Sequence, residues 1–250
     1  MTTLSPTLVA ESAVAPASTK PRIALLGEFS AGKSTLANVL LGRTVSPVQV
    51  TATQVPPIWY VKGPDACVAV FPDGRETPIE SDDPSAAIEA GAAGLKVSLE
   101  AEILDYCDLI DMPGTSDPNL SMATWEKMLK MADGVVWCTP ANQAWRQSEA
   151  ALWEEYGGEF ADYAVMLVTR MDKIAEGRDR DRILARIKRE AQDYFREIMG
   201  ISLTDALKAG RDEDLLAACG ADAFAGCLMD IVSRIEAGRQ RAGKFAGPQP

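Results

Sequence analysis

Gly27-Glu28-Phe29-Ser30-Ala31-Gly32-Lys33-Ser34 spells G-x-x-x-x-G-K-S, and residues of these types at this spacing suit the holding of phosphate. Glycines let the backbone bend so that successive N–H groups point inward as an anion nest. A helix opening at Lys33 would add its positive N-terminal end. Lys33 is placed to reach the β- and γ-phosphates, and the Ser34 hydroxyl to sit on a magnesium ion. The bland alternative is a glycine-rich turn, but the flanks favour the site: Ile23-Ala24-Leu25-Leu26 reads as a strand and Thr35 to Leu41 as a helix.

Three more stretches carry chemistry. Leu109-Ile110-Asp111-Met112-Pro113-Gly114 brings an aspartate to the end of an apolar strand, where it can hold the same magnesium. Gly114 would let a backbone N–H approach the γ-phosphate. Thr169-Arg170-Met171-Asp172 follows the apolar run Ala164 to Val168. A carboxylate at 172 can accept from the N1–H and exocyclic amine of guanine, an edge adenine lacks, while Arg170 lays its stem along the purine. In the loop Arg43 to Pro57, Thr53 is the candidate to reach the metal as a mobile segment does, with Thr51 in reserve. Ser202, in a short strand expected at 201–203, could approach the base.

These loops need scaffolding. Strands are expected at 58–62, 66–71, 134–139 and 164–168, with Pro72-Asp73-Gly74 as a turn. Residues 73–95 read as a polar insertion. Val97, Leu99, Ala101 and Ile103 alternate as an edge strand with one buried face would. Helices are expected at 124–131, 148–156, 180–199 and 221–237; that at 180–199 shows the clearest apolar stripe, with a charged solvated face. Residues 1–20 read as a disordered arm and 238–250 as a disordered basic, Pro/Gly tail. The five tryptophans read as core. Strands alternating with helices imply an α/β fold with a mostly parallel central sheet, the loops of interest sharing the carboxyl ends of its strands.

The bulk numbers narrow the function classes. A net charge of −11 disfavours nucleic acid and anionic lipid. No apolar run approaches the roughly 18 residues of a spanning helix, and the N-terminus has no secretory layout, so a cytoplasmic location is expected. The five cysteines form no C-x-x-C pair, and there is no histidine, which removes imidazole bases and Ser-His or Cys-His nucleophiles.

Gly27 to Asn38 resembles the G1 stretch of the bacterial dynamin-like GTPases; Thr53-Gln54-Val55-Pro56 is similar to their switch I, Asp111-Met112-Pro113-Gly114 to switch II, and Thr169-Arg170-Met171-Asp172 to the T-K-x-D base motif. The resemblance spans 21–237 and implies a P-loop NTPase fold, a three-layer α/β/α domain, with GTP/GDP and Mg²⁺ as cofactors. It implies GTP hydrolysis raised by pairing of two copies across the nucleotide face, or by a larger dynamin-like partner. Catalytic roles would fall to Ser30, Lys33 and Thr53, the first ordering the attacking water and a charge-compensating cation. Metal ligation would fall to Ser34, Thr53 and Asp111. Nucleotide contacts would run from Gly27 through Thr35 and include Gly114, Thr169, Arg170, Asp172 and Ser202. Arg170 stands where the family has lysine. Nothing after residue 237 reads as a helical stalk, so membrane fission by this chain alone is not expected, and any lipid contact would be peripheral. Competing readings are a slow GTP-gated binding switch, a structural subunit without useful hydrolysis, and an ATP-using P-loop kinase.

Overall fold

Arg22–Gly27 forms strand β1, and five of its six residues are buried. A strand covered on both faces has no wet side, so it reads as an unbroken Ile-Ala-Leu-Leu run. The computed structural model describes residues 19–45, 56–79, 85–116 and 122–245. Thr51, Thr53 and nearly all of the proposed N-terminal arm lie outside them. The other strands are β2 (Ile58–Lys62), β3 (Ala66–Val70), β4 (Glu76–Pro78), β5 (Gly94–Leu99), β6 (Asp108–Asp111), β7 (Gly134–Pro140), β8 (Ala164–Thr169) and β9 (Glu197–Gly200). The helices are α1 (Lys33–Leu41), α2 (Ser85–Glu89), α3 (Met122–Leu129), α4 (Gln147–Tyr156), α5 (Gly177–Ala191), α6 (Leu203–Ala209), α7 (Glu213–Cys219) and α8 (Ala221–Phe245).

All nine strands join one sheet in the order β4-β3-β5-β2-β6-β1-β7-β8-β9. From β6 to β9 the neighbours are parallel. β2 runs antiparallel to β6, and β5 parallel to β2. Alternation along β1 divides the interior into two layers. Ile23 and Leu25 face α1, α6 and α8, meeting Leu36, Leu203, Phe224 and Leu228. Ala24 and Leu26 face α3, α4 and α5, meeting Trp125, Trp153 and Ile187. This is the expected mostly parallel α/β/α sandwich of a P-loop NTPase. All five tryptophans are buried, with Trp137 edge-on to both Trp145 and Trp153.

Four expectations are corrected. The helix expected at 180–199 ends at Ala191, and Glu197–Gly200 is β9, with Ile198 opposite Met166 of β8. Tyr194 and Ile198 fit a helical stripe by spacing, but a short apolar run fits either period, and pairing with the open edge of β8 decides it. Of the segment expected as a one-sided edge, Val97 and Leu99 belong to β5, which lies inside the sheet between β3 and β2 with Leu95 and Leu99 fully buried, while Ala101 caps a short 3-10 turn that contains Ile103. The second neighbour of β5 is β3, which pairs with it antiparallel, and the supposed insertion between them contains β4 and α2. The strand expected at 201–203 ends at Gly200, and Ser202 is instead the N-cap of α6. Finally, α8 continues through Phe245, so the residues expected to fray from 238 begin as helix.

Candidate functional site

The carboxyl ends of β1, β6 and β8 open, with the start of α6, on one cavity of about 580 Å³. Ser30, Gly32, Lys33, Ser34 and Thr35 enter it from the turn after β1. That turn is built by close packing. A Cβ on Gly27 (φ +137°) would lie 2.1 Å from the carbonyl oxygen of Cys138 on β7, so only glycine fits. Ser30 then takes a left-handed φ of 58°. Gly32, also left-handed, begins α1 with no side-chain cap, so the first amides of that helix are left for an anion.

Lys33 is 7% exposed. Its Nζ donates to the carbonyl oxygens of Gly27 at 3.0 Å and Glu28 at 2.8 Å. Burial lowers its pKa, and the charge of Asp111 opposes that shift. Ser34 Oγ donates to Asp111 Oδ2 at 2.9 Å, across 77 residues of sequence. Burial, with the residue 8% exposed, pushes the Asp111 carboxyl up to about 6, while the Ser34 hydrogen bond and the Lys33 charge hold it down. A carboxylate kept beside a hydroxyl at such a cost is a pair that a hard dication would relieve. Among the described residues no cluster of three or more His, Cys, Asp or Glu could hold a metal alone. One carboxylate plus one hydroxyl suits an ion that keeps waters and takes its remaining oxygens from substrate phosphates.

The segment after β6 leans on the same turn. A Cβ on Gly114 would lie 2.8 Å from Phe29 N, so this approach also requires glycine. Phe29 N donates to Ser116 Oγ at 3.1 Å, and Thr115 N to the carbonyl oxygen of Gly27 at 3.2 Å. The Phe29 ring itself is 79% exposed.

At the other end, Thr169 Oγ1 donates to the carbonyl oxygen of Ala31 at 2.7 Å, tying β8 to the β1 turn. Arg170 (φ 60°) reaches back over that turn, its guanidinium donating to the carbonyl oxygen of Ser30. Asp172 lines the cavity with its side chain 15% exposed, 3.4 Å from Lys173 Nζ. The structure therefore brings together Ser30, Lys33, Ser34, Asp111, Gly114, Thr169, Arg170 and Asp172. Ser202 is not among them. Its Oγ donates to Asp205 Oδ2 at 2.6 Å, and it faces a neighbouring cavity, while Leu203 and Thr204 line this one. Pro56 and Ile58 line the cavity wall. Reading the sequence also missed Glu28, Arg146 and Ser148 as a connected group. The signal was available: an acid in an anion-binding turn needs a counter-charge.

The model of the Dynamin family matches residues 23–170, more than half of the chain. The chain belongs to the dynamin family. Dynamin-like protein 2 of Campylobacter jejuni is 27% identical over 192 residues, covering 74% of this chain and 31% of that relative. Isoniazid-induced protein IniC of Mycobacterium tuberculosis is 34% identical over 125 residues, covering 46% of this chain and 25% of the relative. The chain thus spans about a third or less of the relatives it matches. Among solved structures, a bacterial dynamin pair aligns with TM-score 0.62 and 19% identity, over 86% of this chain and 36% of that one. Era from Aquifex aeolicus aligns with TM-score 0.51 and 18% identity, over 85% and 57%. At those identities the likeness is one of fold. The dynamin-family match stops two residues before Asp172, so the base end of the site rests on geometry.

Proposed function

We propose that this dynamin-family domain, from residue 21 through α8, binds GTP with Mg²⁺ and hydrolyses it. The observation that carries the reading is one cavity holding Lys33, the Ser34–Asp111 pair and Asp172 at different points of its wall. The open amides at the start of α1 would cradle the phosphates, with Lys33 exchanging its two carbonyl partners for phosphate oxygens. Ser34 and Asp111 would hold the metal, with Thr53 joining from its loop. When bound, magnesium would neutralise charge on the β- and γ-phosphates. Gly114, already against the β1 turn, would sense the γ-phosphate through its N–H. Asp172 would take the two guanine donors, Thr169 and Arg170 would brace the turn beneath, and Leu203 and Thr204 would close the base end in place of Ser202.

Among the described residues, no glutamine, glutamate or histidine lines the cavity to position a water. Ser30, exposed at the mouth, is the candidate for that task, and a second copy meeting this face would complete it. A structure of like fold is described as an oligomerised bacterial dynamin pair, which agrees with association between dynamin chains. A cytoplasmic setting with peripheral membrane contact belongs to the same reading. Among the described residues no single helix is long and apolar enough to cross a membrane. Hydrolysis per molecule, measured across protein concentration with GTP and Mg²⁺, should rise as pairing sets in. A flat, slow rate would favour the alternative of a GTP-gated switch; no rate in any condition would leave a structural subunit.

A further inference from the structure

An acidic side chain in a phosphate-binding turn works against its own site. Glu28 follows Gly27 directly, and its carbonyl oxygen already accepts from Lys33 Nζ at 2.8 Å. Its carboxylate points elsewhere. The side chain is 13% exposed and ion-paired with the Arg146 guanidinium, and Ser148 Oγ donates to Glu28 Oε1 at 3.2 Å. Neither Arg146 nor Ser148 lines the cavity.

Arg146 is delivered by a loop that has little freedom. Its N–H donates to Glu149 Oε2 at 2.9 Å. That buried carboxylate also accepts from Trp137 Nε1 at 3.1 Å and Thr139 Oγ1 at 3.1 Å. Trp145, one residue earlier, is held in a left-handed conformation (φ 57°), its N–H donating to Thr139 Oγ1 at 3.2 Å. The strand β7 and helix α4 therefore fix the backbone from which the guanidinium reaches Glu28.

Freed of Arg146, the Glu28 carboxylate would act in two ways. It would repel an incoming polyphosphate across the turn. It would also be an intramolecular acceptor for the Lys33 ammonium, which already rests on the Glu28 main chain. We propose that Arg146 is a positioning residue for phosphate binding, which holds the Glu28 carboxylate away from Lys33 and cancels its charge, leaving the ammonium for phosphate. This rests on the reading that the cavity binds a nucleoside triphosphate, but it concerns the phosphates and not the base.

The test is calorimetric titration of the full chain, with Mg²⁺, using GTP, ATP and inorganic tripolyphosphate in turn. Arg146→Gln should weaken all three by about tenfold, and the loss should shrink as salt is raised. Adding Glu28→Gln to Arg146→Gln should bring affinity back to within about threefold of the parent, because the offending charge has gone. Arg146→Lys, which keeps the charge, should lose far less than Arg146→Gln. Unchanged binding by Arg146→Gln overturns the proposal. So does a double variant as weak as the single one, or an Arg146→Lys as weak as Arg146→Gln, since either marks a merely structural role. Should Arg146→Gln fail to fold, as read by circular dichroism, Arg146→Lys and Glu28→Gln alone are judged against the parent: both should bind tripolyphosphate within about threefold of it, and a loss of about tenfold in either overturns the proposal. A preference for ATP would overturn the guanine reading alone, with the variant ratios still judging Arg146. A parent chain that binds none of the three overturns both.

Discussion

The two ends of the cavity are built on different principles. At the end proposed for phosphate, recognition would be carried by main chain: the left-handed Ser30 and Gly32, the open start of α1, and the close approach of Gly27 to β7. The side chains there, Lys33 and Asp111, are buried and charged, and each is satisfied by partners across the turn. At the end proposed for the base, recognition would be carried by side chains on elements far apart in sequence, Arg170 and Asp172 after β8 and Leu203 and Thr204 after β9. Main-chain recognition confines the residues to one local pattern. Side-chain recognition leaves the pattern loose and lets tertiary structure choose.

The comparison can be broken first at the base end. Asp172→Asn should turn preference from guanosine towards xanthosine nucleotides by about a thousandfold or more, because a buried acceptor replaced by a donor rejects the former edge. Parallel titrations with GTP and XTP measure it, and an unchanged ratio would remove Asp172 from the base site. Next in size is the phosphate end, where Lys33→Ala should cost about a hundredfold in triphosphate affinity whatever the base, since a charge-assisted contact has gone. Equal losses for GTP and ATP would sharpen the division of labour; a loss specific to GTP would blur it.

Asp111 gives a pH test. Its folded pKa, about 6, stands above the usual 3.8 because burial disfavours the carboxylate. A raised carboxyl favours the fold when protonated, so its contribution is complete below about pH 4 and is lost as pH rises through about 6. The magnitude is of order 3 kcal/mol. Without metal, the stability of the parent relative to Asp111→Asn should therefore fall between pH 4 and pH 7, as read by urea unfolding. Parallel curves for the two proteins would show that Asp111 is not strained by burial. The smallest effect is expected at Ser202, where Ser202→Ala removes an N-cap and should cost about 1 kcal/mol of stability, with the loss falling on folding rather than on nucleotide affinity.

The same contrast explains what the sequence made legible. G-x-x-x-x-G-K-S and D-M-P-G are set by backbone geometry and by the Ser34–Asp111 hydrogen bond, so Lys33, Ser34, Asp111 and Gly114 could be named from spacing, and the structure brings them to one cavity. Asp172 was reachable because a buried strand delivers it. Ser202 was misplaced because the strand before it, Glu197–Gly200, hides inside a helical spacing that only pairing with β8 breaks. β5 was misjudged for a related reason: its second neighbour, β3, runs antiparallel to it and is joined through the polar stretch read as an insertion. Arg146 went unnoticed because nothing local ties it to Glu28; the link runs between the ends of β1 and β7, neighbours in the sheet and far apart in the chain.

The central claim is that one cavity holds a triphosphate at its β1 end and selects guanine at its β8 end. A competition titration of GTP against ATP, with Mg²⁺, tests it most directly. GTP should bind at least about a hundredfold more tightly, as expected for a site that pairs both donors of the guanine edge. Equal affinities, or no binding of either nucleotide, would contradict it.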